Sequence, residues 1–101
     1  MAKQVKITVL KRELYKDLIE EYASNKATEQ CKFYEDNQVF ILDKPNMPEG
    51  FCSWAWSDIH KDVISVYHGA SFPWMEKKNS IVTGCTDGLR PVIFKVELTE
   101  G

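Results

Sequence analysis

Near its C-terminus the chain has a segment in which apolar residues alternate with residues that are mostly charged. This feature constrains the fold most. The segment is Val92-Ile93-Phe94-Lys95-Val96-Glu97-Leu98. Successive side chains of a β-strand point to opposite faces of the sheet, so one face of this strand is wholly apolar. Such a strand needs neighbouring strands and a layer that covers its apolar face. The rest of the chain must supply both.

Three further segments have the pattern of strands. Residues 5–10 alternate, with Val5, Ile7 and Val9 on one face. Residues 39–42 are a continuous apolar run, for which we expect a strand that is buried on both faces at the centre of the sheet. Residues 81–86 lead into an Asp-Gly turn and complete the set.

Two segments have apolar residues at helical spacing. The first helix is predicted from Arg12 to about Ser24, with Asn25 as its stop, and the second over residues 53–68. Ser53 is predicted to cap the second helix, and Gly69 to end it. The longest irregular stretches are expected at residues 44–50 and 69–80.

The order β-α-β-α-β-β predicts an α+β fold. We expect a mixed or antiparallel sheet of about four strands, covered on one face by both helices. The chain has 101 residues, which is the size of one domain, and we assign residues 1–101 to it.

Charge and hydropathy exclude two classes of partner. Thirteen Lys and Arg residues stand against fifteen Asp and Glu residues, a net charge of −2. This lacks the basic excess typical of nucleic-acid binding. No apolar run approaches the ~20 residues of a membrane span. The first residues lead directly into a strand and not into a signal-peptide pattern, so we expect a cytoplasmic protein.

The chain has three cysteines, Cys31, Cys52 and Cys85. The odd number argues against a disulfide scaffold, and no CxxC spacing provides a local zinc knuckle. Three alternatives stay open: buried free thiols, a reactive thiol, and a metal site that all three form from distant segments. The sequence names no cofactor, and nucleotide-binding glycine motifs are not found in it.

The first candidate site is the start of the second helix. Cys52 precedes this helix, where unpaired N–H groups and the helix dipole favour a thiolate and a lowered pKa. Trp54 lies about 200° around the helix from Trp56, so it is predicted to face a loop, a partner or solvent. His60 and His68 lie two turns or more along the helix, too far to serve Cys52 as a base.

The second candidate site is the segment that follows the third strand. It places the thiol of Cys85, the hydroxyl of Thr86, the carboxylate of Asp87 and the guanidinium of Arg90 within six positions. Arg90 suits a carboxylate or phosphate group. The simpler alternative is that Asp87 makes the turn, and that Arg90 pairs with an acid such as Asp87 or Asp58.

Several segments also resemble a family of small prokaryotic proteins of about 90 to 100 residues that has no assigned activity. The resemblance rests on the segments Pro48-Glu49-Gly50-Phe51-Cys52-Ser53-Trp54-Ala55-Trp56, Phe72-Pro73-Trp74 and Cys85-Thr86-Asp87-Gly88-Leu89-Arg90-Pro91-Val92-Ile93-Phe94-Lys95. The family pattern includes all three cysteines. Its members often have a proline where this chain has Lys32, and a further cysteine where it has Gly84. Relatives also occur as parts of larger redox enzymes, which implies an accessory role.

Three functions follow as hypotheses. The first is a homo-oligomeric binding or accessory domain whose pocket uses Trp54, Trp74, Thr86 and Arg90 for a small anionic molecule or a partner enzyme. The second is a cysteine-dependent enzyme or redox protein for a small anionic substrate, with Cys52, Cys85 and Asp87 as the catalytic candidates. The third is a metal-binding protein that uses Cys31, Cys52 and Cys85.

Overall fold

A computed structural model describes residues 3–100 of the chain. Its elements, in chain order, are β1 (Lys3–Arg12), α1 (Lys16–Tyr22), β2 (Val39–Leu42), α2 (Ser53–Tyr67), β3 (Ser80–Gly84) and β4 (Val92–Glu100). The predicted α+β class and the order β-α-β-α-β-β are confirmed.

The four strands form one antiparallel sheet in the order β2-β1-β4-β3. The two strands nearest the chain ends, β1 and β4, are therefore its centre. The prediction that residues 39–42 form the central strand is wrong, because β2 is an edge strand. Its alternate residues Phe40 and Leu42 face the core, whereas Val39 and Ile41 are about half exposed on the other face. A continuous apolar run does not require burial on both faces.

The hydrophobic core lies between the sheet and α2, which packs against β1, β3 and β4. The fully buried side chains of α2 are Ile59, Val63 and Val66, and those of the sheet are Val5, Ile7, Val9, Val92, Phe94 and Val96. Within residues 3–100, α1 packs against none of the strands, and its buried residue is Ile19. The expectation that two helices cover the sheet therefore holds for α2 alone.

Helix α1 is shorter than predicted because the sheet uses the residues in front of it. Arg12 was expected to begin the helix, yet it pairs with Val92 at the end of β1. The N–H groups of Glu13 and Tyr15 then donate to carbonyl groups of the segment before β4. The helix begins only at Lys16.

The longest irregular segment is residues 23–38, and not either of the two stretches that the sequence indicated. Arg12 attaches this segment to the end of β1. Its guanidinium contacts Asp36 at 3.0 Å and donates to the carbonyl oxygen of Cys31 at 2.9 Å. The amide of Gln30 donates to the carbonyl oxygen of Arg12 at 2.7 Å. This attachment determines where Cys31 lies.

The end of α2 agrees with the prediction at Gly69, which has a φ of +88°. At its start the capping residue is Cys52 and not Ser53, which is the first helical residue. Among residues 3–100, no helix has the length and apolar character needed to span a membrane.

Candidate functional site

All three cysteines line one pocket of about 430 Å³. They come from three separate parts of the chain: the irregular segment 23–38, the start of α2 and the connection between β3 and β4. The wall is completed by aromatic, charged and small apolar residues: Phe33, Tyr34, Trp54, Lys32, Asp87, Arg90, Ala55 and Val92. We call this site the thiol pocket. Its volume lies within the range of ordinary small-molecule sites.

Tyr34 is the most deeply buried polar side chain of the thiol pocket. The residue is 2% exposed, and its ring packs edge-on against Phe40, Phe51 and Phe94. Its hydroxyl oxygen accepts a hydrogen bond from the N–H of Cys52 at 3.0 Å. Within residues 3–100 no protein acceptor for the hydroxyl hydrogen is found. The pocket therefore contains one buried O–H donor that is free to bind a ligand.

The pKa of Tyr34 is raised above the ordinary tyrosine value. Burial is the main cause, and the neighbouring thiols of Cys52, Cys31 and Cys85 add to it, whereas the hydrogen bond from Cys52 opposes it. Because the phenol stays protonated at neutral pH, Tyr34 acts in the pocket as a donor and not as a base. The sequence analysis did not single out this residue. Tyr34 lies in the irregular segment 23–38, where no periodic pattern marks a buried side chain.

Cys52 occupies the N-cap position of α2, and no side chain caps this end of the helix. The first N–H groups of a helix have no partner within it, and they carry its positive dipole end. A charged atom held near Cys52 therefore meets backbone donors as well as the hydroxyl of Tyr34. This part of the predicted arrangement is present, although the donor set includes a tyrosine that was not expected.

Cys85 is held more tightly. Its Sγ accepts a hydrogen bond from the N–H of Val92 at 3.2 Å, and its own N–H donates to the carbonyl of Val92 at 3.0 Å. The sulfur of Cys85 is therefore already engaged by the backbone of β4.

Two cations and one carboxylate line the thiol pocket. Asp87 accepts hydrogen bonds from the N–H groups of Leu89 and Arg90 at 3.0 and 3.1 Å, which form the turn. It also lies 3.6 Å from the Nε of Arg90, and Lys32 contacts Glu29 at 2.8 Å. The simpler alternative for Arg90 and Asp87 is thus observed, but neither cation is buried in its pair. The lining thus has two cations against one carboxylate, and each cation is partly exposed.

Trp54 is held by a chain of hydrogen bonds. Its indole N–H donates to the hydroxyl of Thr86 at 3.0 Å, and this hydroxyl donates in turn to Asp58 at 3.0 Å. The backbone N–H of Thr86 donates to the same carboxylate oxygen at 2.8 Å. Thr86 therefore positions Trp54 and does not itself line the pocket. Trp54 is 62% exposed, in agreement with the prediction that it turns away from the core.

Trp74 is not part of the thiol pocket. It pairs with Phe72, with the ring centroids 5.2 Å apart, and is largely exposed. The pocket lining includes neither His60 nor His68. Of the predicted site residues, the structure brings together Cys52, Cys85, Asp87, Trp54 and Arg90, and it adds Cys31 from the list of alternative metal ligands.

The arrangement was also tested for a metal centre. In the part of the chain from residue 3 to residue 100, no group of three or more Cys, His, Asp or Glu side chains has an arrangement that could hold a metal ion. The three cysteines share a pocket, but they do not form a preorganised coordination set.

A second, larger pocket of about 570 Å³ shares Lys32, Asp87 and Arg90 with the thiol pocket. Its other residues come mainly from the irregular segment 23–38, and none of them is aromatic or a cysteine. We favour the thiol pocket as the site because it combines a buried donor with apolar walls, as ligand sites do.

Comparisons of the chain with protein-family models, with curated proteins and with solved structures found no match. The function is therefore argued from the geometry of the pocket.

Proposed function

We propose that the protein binds a small anionic molecule in the thiol pocket. The observation that carries the proposal is the hydroxyl of Tyr34, which is buried, protonated and without an acceptor of its own. The hydroxyl oxygen already accepts the N–H of Cys52, so it is the hydroxyl hydrogen that a ligand would engage. A ligand that supplies an acceptor atom would add a hydrogen bond worth about 0.5–1.5 kcal/mol.

Charge indicates the type of acceptor. Arg90 and Lys32 line the pocket and outnumber its one carboxylate, Asp87. Arginine binds carboxylate and phosphate groups through parallel N–H donors. An anionic group placed between Arg90 and Tyr34 would receive donors from both sides.

The walls indicate a partly apolar ligand. Phe33 and Trp54 offer aromatic surface, and Thr86 holds the indole of Trp54 in one orientation. Rigid aromatic walls with a few polar groups are typical of small-molecule sites. The ligand class that we propose is therefore a small anion with an apolar or aromatic body.

A pair of fluorescent probes tests this proposal. Anilinonaphthalene sulfonate is anionic, and N-phenyl-naphthylamine has the same aromatic body without the charge. We expect the sulfonate to bind more tightly than the neutral probe. Arg90→Gln should weaken the affinity for the sulfonate about tenfold, because one charge-assisted hydrogen bond is lost. Binding of the neutral probe should not change in this variant.

Three further variants complete the test, and two of them are controls. Trp54→Ala should weaken both probes, whereas Trp74→Ala should weaken neither, because Trp74 lies outside the pocket. Lys61→Gln removes an exposed cation from α2 outside the pocket lining and should leave the affinity for the sulfonate unchanged. Equal affinity for the two probes in the wild-type protein would contradict the proposal.

A second candidate function is that of a cysteine-dependent enzyme or redox protein. The specific observation in its favour is that three free thiols line one pocket. Neither histidine lines it, so a Cys–His pair does not support acyl transfer there. Thiol–disulfide chemistry needs no such base.

We also propose a homo-oligomer of cytoplasmic location and membership of the small prokaryotic family described above. Exposed apolar residues on the uncovered sheet face, Val39, Ile41 and Val82, support self-association. Native mass spectrometry tests it directly, and the same spectrum would detect a retained ligand, a metal ion or a partner enzyme. A monomeric mass at all concentrations would contradict the oligomer.

A further inference from the structure

We propose that Cys52 exchanges with small anionic disulfides and forms a mixed disulfide inside the thiol pocket. The inference rests on the proposed function, because the same cationic pocket would hold the anionic disulfide. It adds a covalent step and a class of reactant. The disulfide is the oxidant, so no other redox partner is needed.

The step balances as a thiol–disulfide exchange. Cys52 loses its proton, and its sulfur attacks one sulfur of R–S–S–R. A new S–S bond forms between Cys52 and one R–S group, and the original S–S bond breaks. The second R–S group leaves with the electron pair of that bond and takes up a proton, giving R–SH. The oxidation state of the Cys52 sulfur rises by one, and that of the leaving sulfur falls by one.

Three observations select Cys52 among the three thiols. It is the N-cap of a 15-residue helix whose first N–H groups have no side-chain cap. Its backbone N–H fixes the hydroxyl of Tyr34 beside it at 3.0 Å. The sulfur of Cys85, by contrast, already accepts the N–H of Val92, and Cys31 lies in the irregular segment 23–38 and not at the start of a helix.

The surrounding groups match what the exchange requires. Negative charge develops on the leaving sulfur, and the free O–H of Tyr34 and the helix N–H groups are donors for it. Arg90 would bind an acidic group on the R portion. The reaction needs no general base from His60 or His68, neither of which lines the pocket.

Two aromatic disulfides test the inference: dithiobis(nitrobenzoate), which is anionic, and dithiodipyridine, which is neutral. We expect dithiobis(nitrobenzoate) to modify Cys52 first in the native protein, as mapped by mass spectrometry of peptides after short exposure. Arg90→Gln should slow this reagent about tenfold, the loss of one charge-assisted contact, and should leave the rate with dithiodipyridine unchanged.

A serine variant identifies the reacting thiol. Cys52→Ser should abolish the fast phase, whereas Trp74→Ala, which lies outside the pocket, should keep it. Because a variant could unfold, the mapping in the wild-type protein stands as the primary measurement. First modification at Cys31 or Cys85, or equal modification of all three, would overturn the inference.

The fluorescent probes distinguish this failure from failure of the proposed function. If the sulfonate probe binds through Arg90 but the reaction with the anionic disulfide does not depend on Arg90, the anion site stands and the exchange at Cys52 is rejected. If the sulfonate shows no preference over the neutral probe, the anion site is rejected, and the exchange as proposed is rejected with it.

Discussion

The backbone N–H of Cys52 donates a hydrogen bond to the hydroxyl oxygen of Tyr34 over 3.0 Å. This bond joins the irregular segment 23–38 to the start of α2, and it places the buried phenol beside the thiol. An irregular segment and the first turn of a helix are therefore connected at the candidate site. The contact therefore belongs both to the packing of the fold and to the candidate site.

Replacement of Tyr34 by phenylalanine should lower the free energy of unfolding by about 1–3 kcal/mol. The N–H of Cys52 would lose its acceptor in a partly buried position, while the ring packing is kept. Urea unfolding measures the change. Tyr22→Phe is the matched control, because Tyr22 is exposed, and it should have almost no effect. An unchanged stability in Tyr34→Phe would show that water replaces the hydroxyl at no cost.

Replacement of Thr86 by valine should release Trp54. The indole N–H loses the acceptor at 3.0 Å, and Asp58 loses one of two donors from Thr86. Since Trp54 is mostly exposed, we expect a stability change below about 1 kcal/mol. The indole N–H signal of Trp54 in NMR should shift and exchange faster with solvent. Thr83→Val, on β3, should leave that signal in place.

Gly84 should not tolerate alanine. A Cβ atom there would lie 2.8 Å from the Cδ1 of Ile93 and 2.9 Å from the carbonyl oxygen of Val92, which is backbone and cannot move freely. We expect Gly84→Ala to destabilise the protein by about 1–3 kcal/mol in thermal or urea unfolding. Gly88→Ala meets nothing within 4 Å and should be neutral or slightly stabilising.

The same contact bears on the family resemblance. Members of that family often have a cysteine where this chain has Gly84, and a cysteine has the same Cβ. In this chain a further thiol at position 84 would require β4 to shift. Gly84→Cys should therefore destabilise the fold as Gly84→Ala does.

Glu97 should make stability depend on pH in the acid range. Glu97 is 5% exposed, and its carboxylate forms ion pairs with Lys77 and Lys95. Burial raises the pKa of Glu97, but the hydrogen bonds from the two lysines outweigh it, and the pKa lies below its ordinary value of 4.5. The two ion pairs of Glu97 therefore stabilise the fold above pH 4.5, and this contribution is lost as the pH falls through the lowered pKa of Glu97.

The measurement is urea unfolding between about pH 7 and pH 3. Glu97→Gln should be less stable than wild type by about 1–2 kcal/mol at pH 7, and the difference should shrink towards pH 3. Glu20→Gln, on the exposed face of α1, controls for the loss of one surface charge. A difference that stays constant over this range would contradict the role of the ionised pair.

Much of the fold could be predicted because its signals are local. The alternation in Val92–Leu98 determines which face of β4 is buried, and Ile59, Val63 and Val66 recur at the spacing that turns one side of α2 to the core. These periodicities depend on backbone geometry alone. The position of β2 at the edge was missed, because an apolar run does not report which strands lie beside it, and Val39 and Ile41 are apolar although about half exposed.

The candidate site was predicted in pieces. Cys52, Trp54, Cys85, Asp87 and Arg90 were each identified from their own short segment. Their common location was a hypothesis that no motif supported, because a contact between distant segments leaves no local pattern.

The sequence by itself determined the α+β class, the order of elements and which residues of β1, β4 and α2 face the core, since each follows from periodicity over a few residues. Only the tertiary structure decided that Cys31, Cys52 and Cys85 line one pocket with Tyr34 between them. The reason is physical: Arg12 attaches segment 23–38 to the end of β1 by hydrogen bonds. This attachment and the packing of α2 on the sheet bring those groups together.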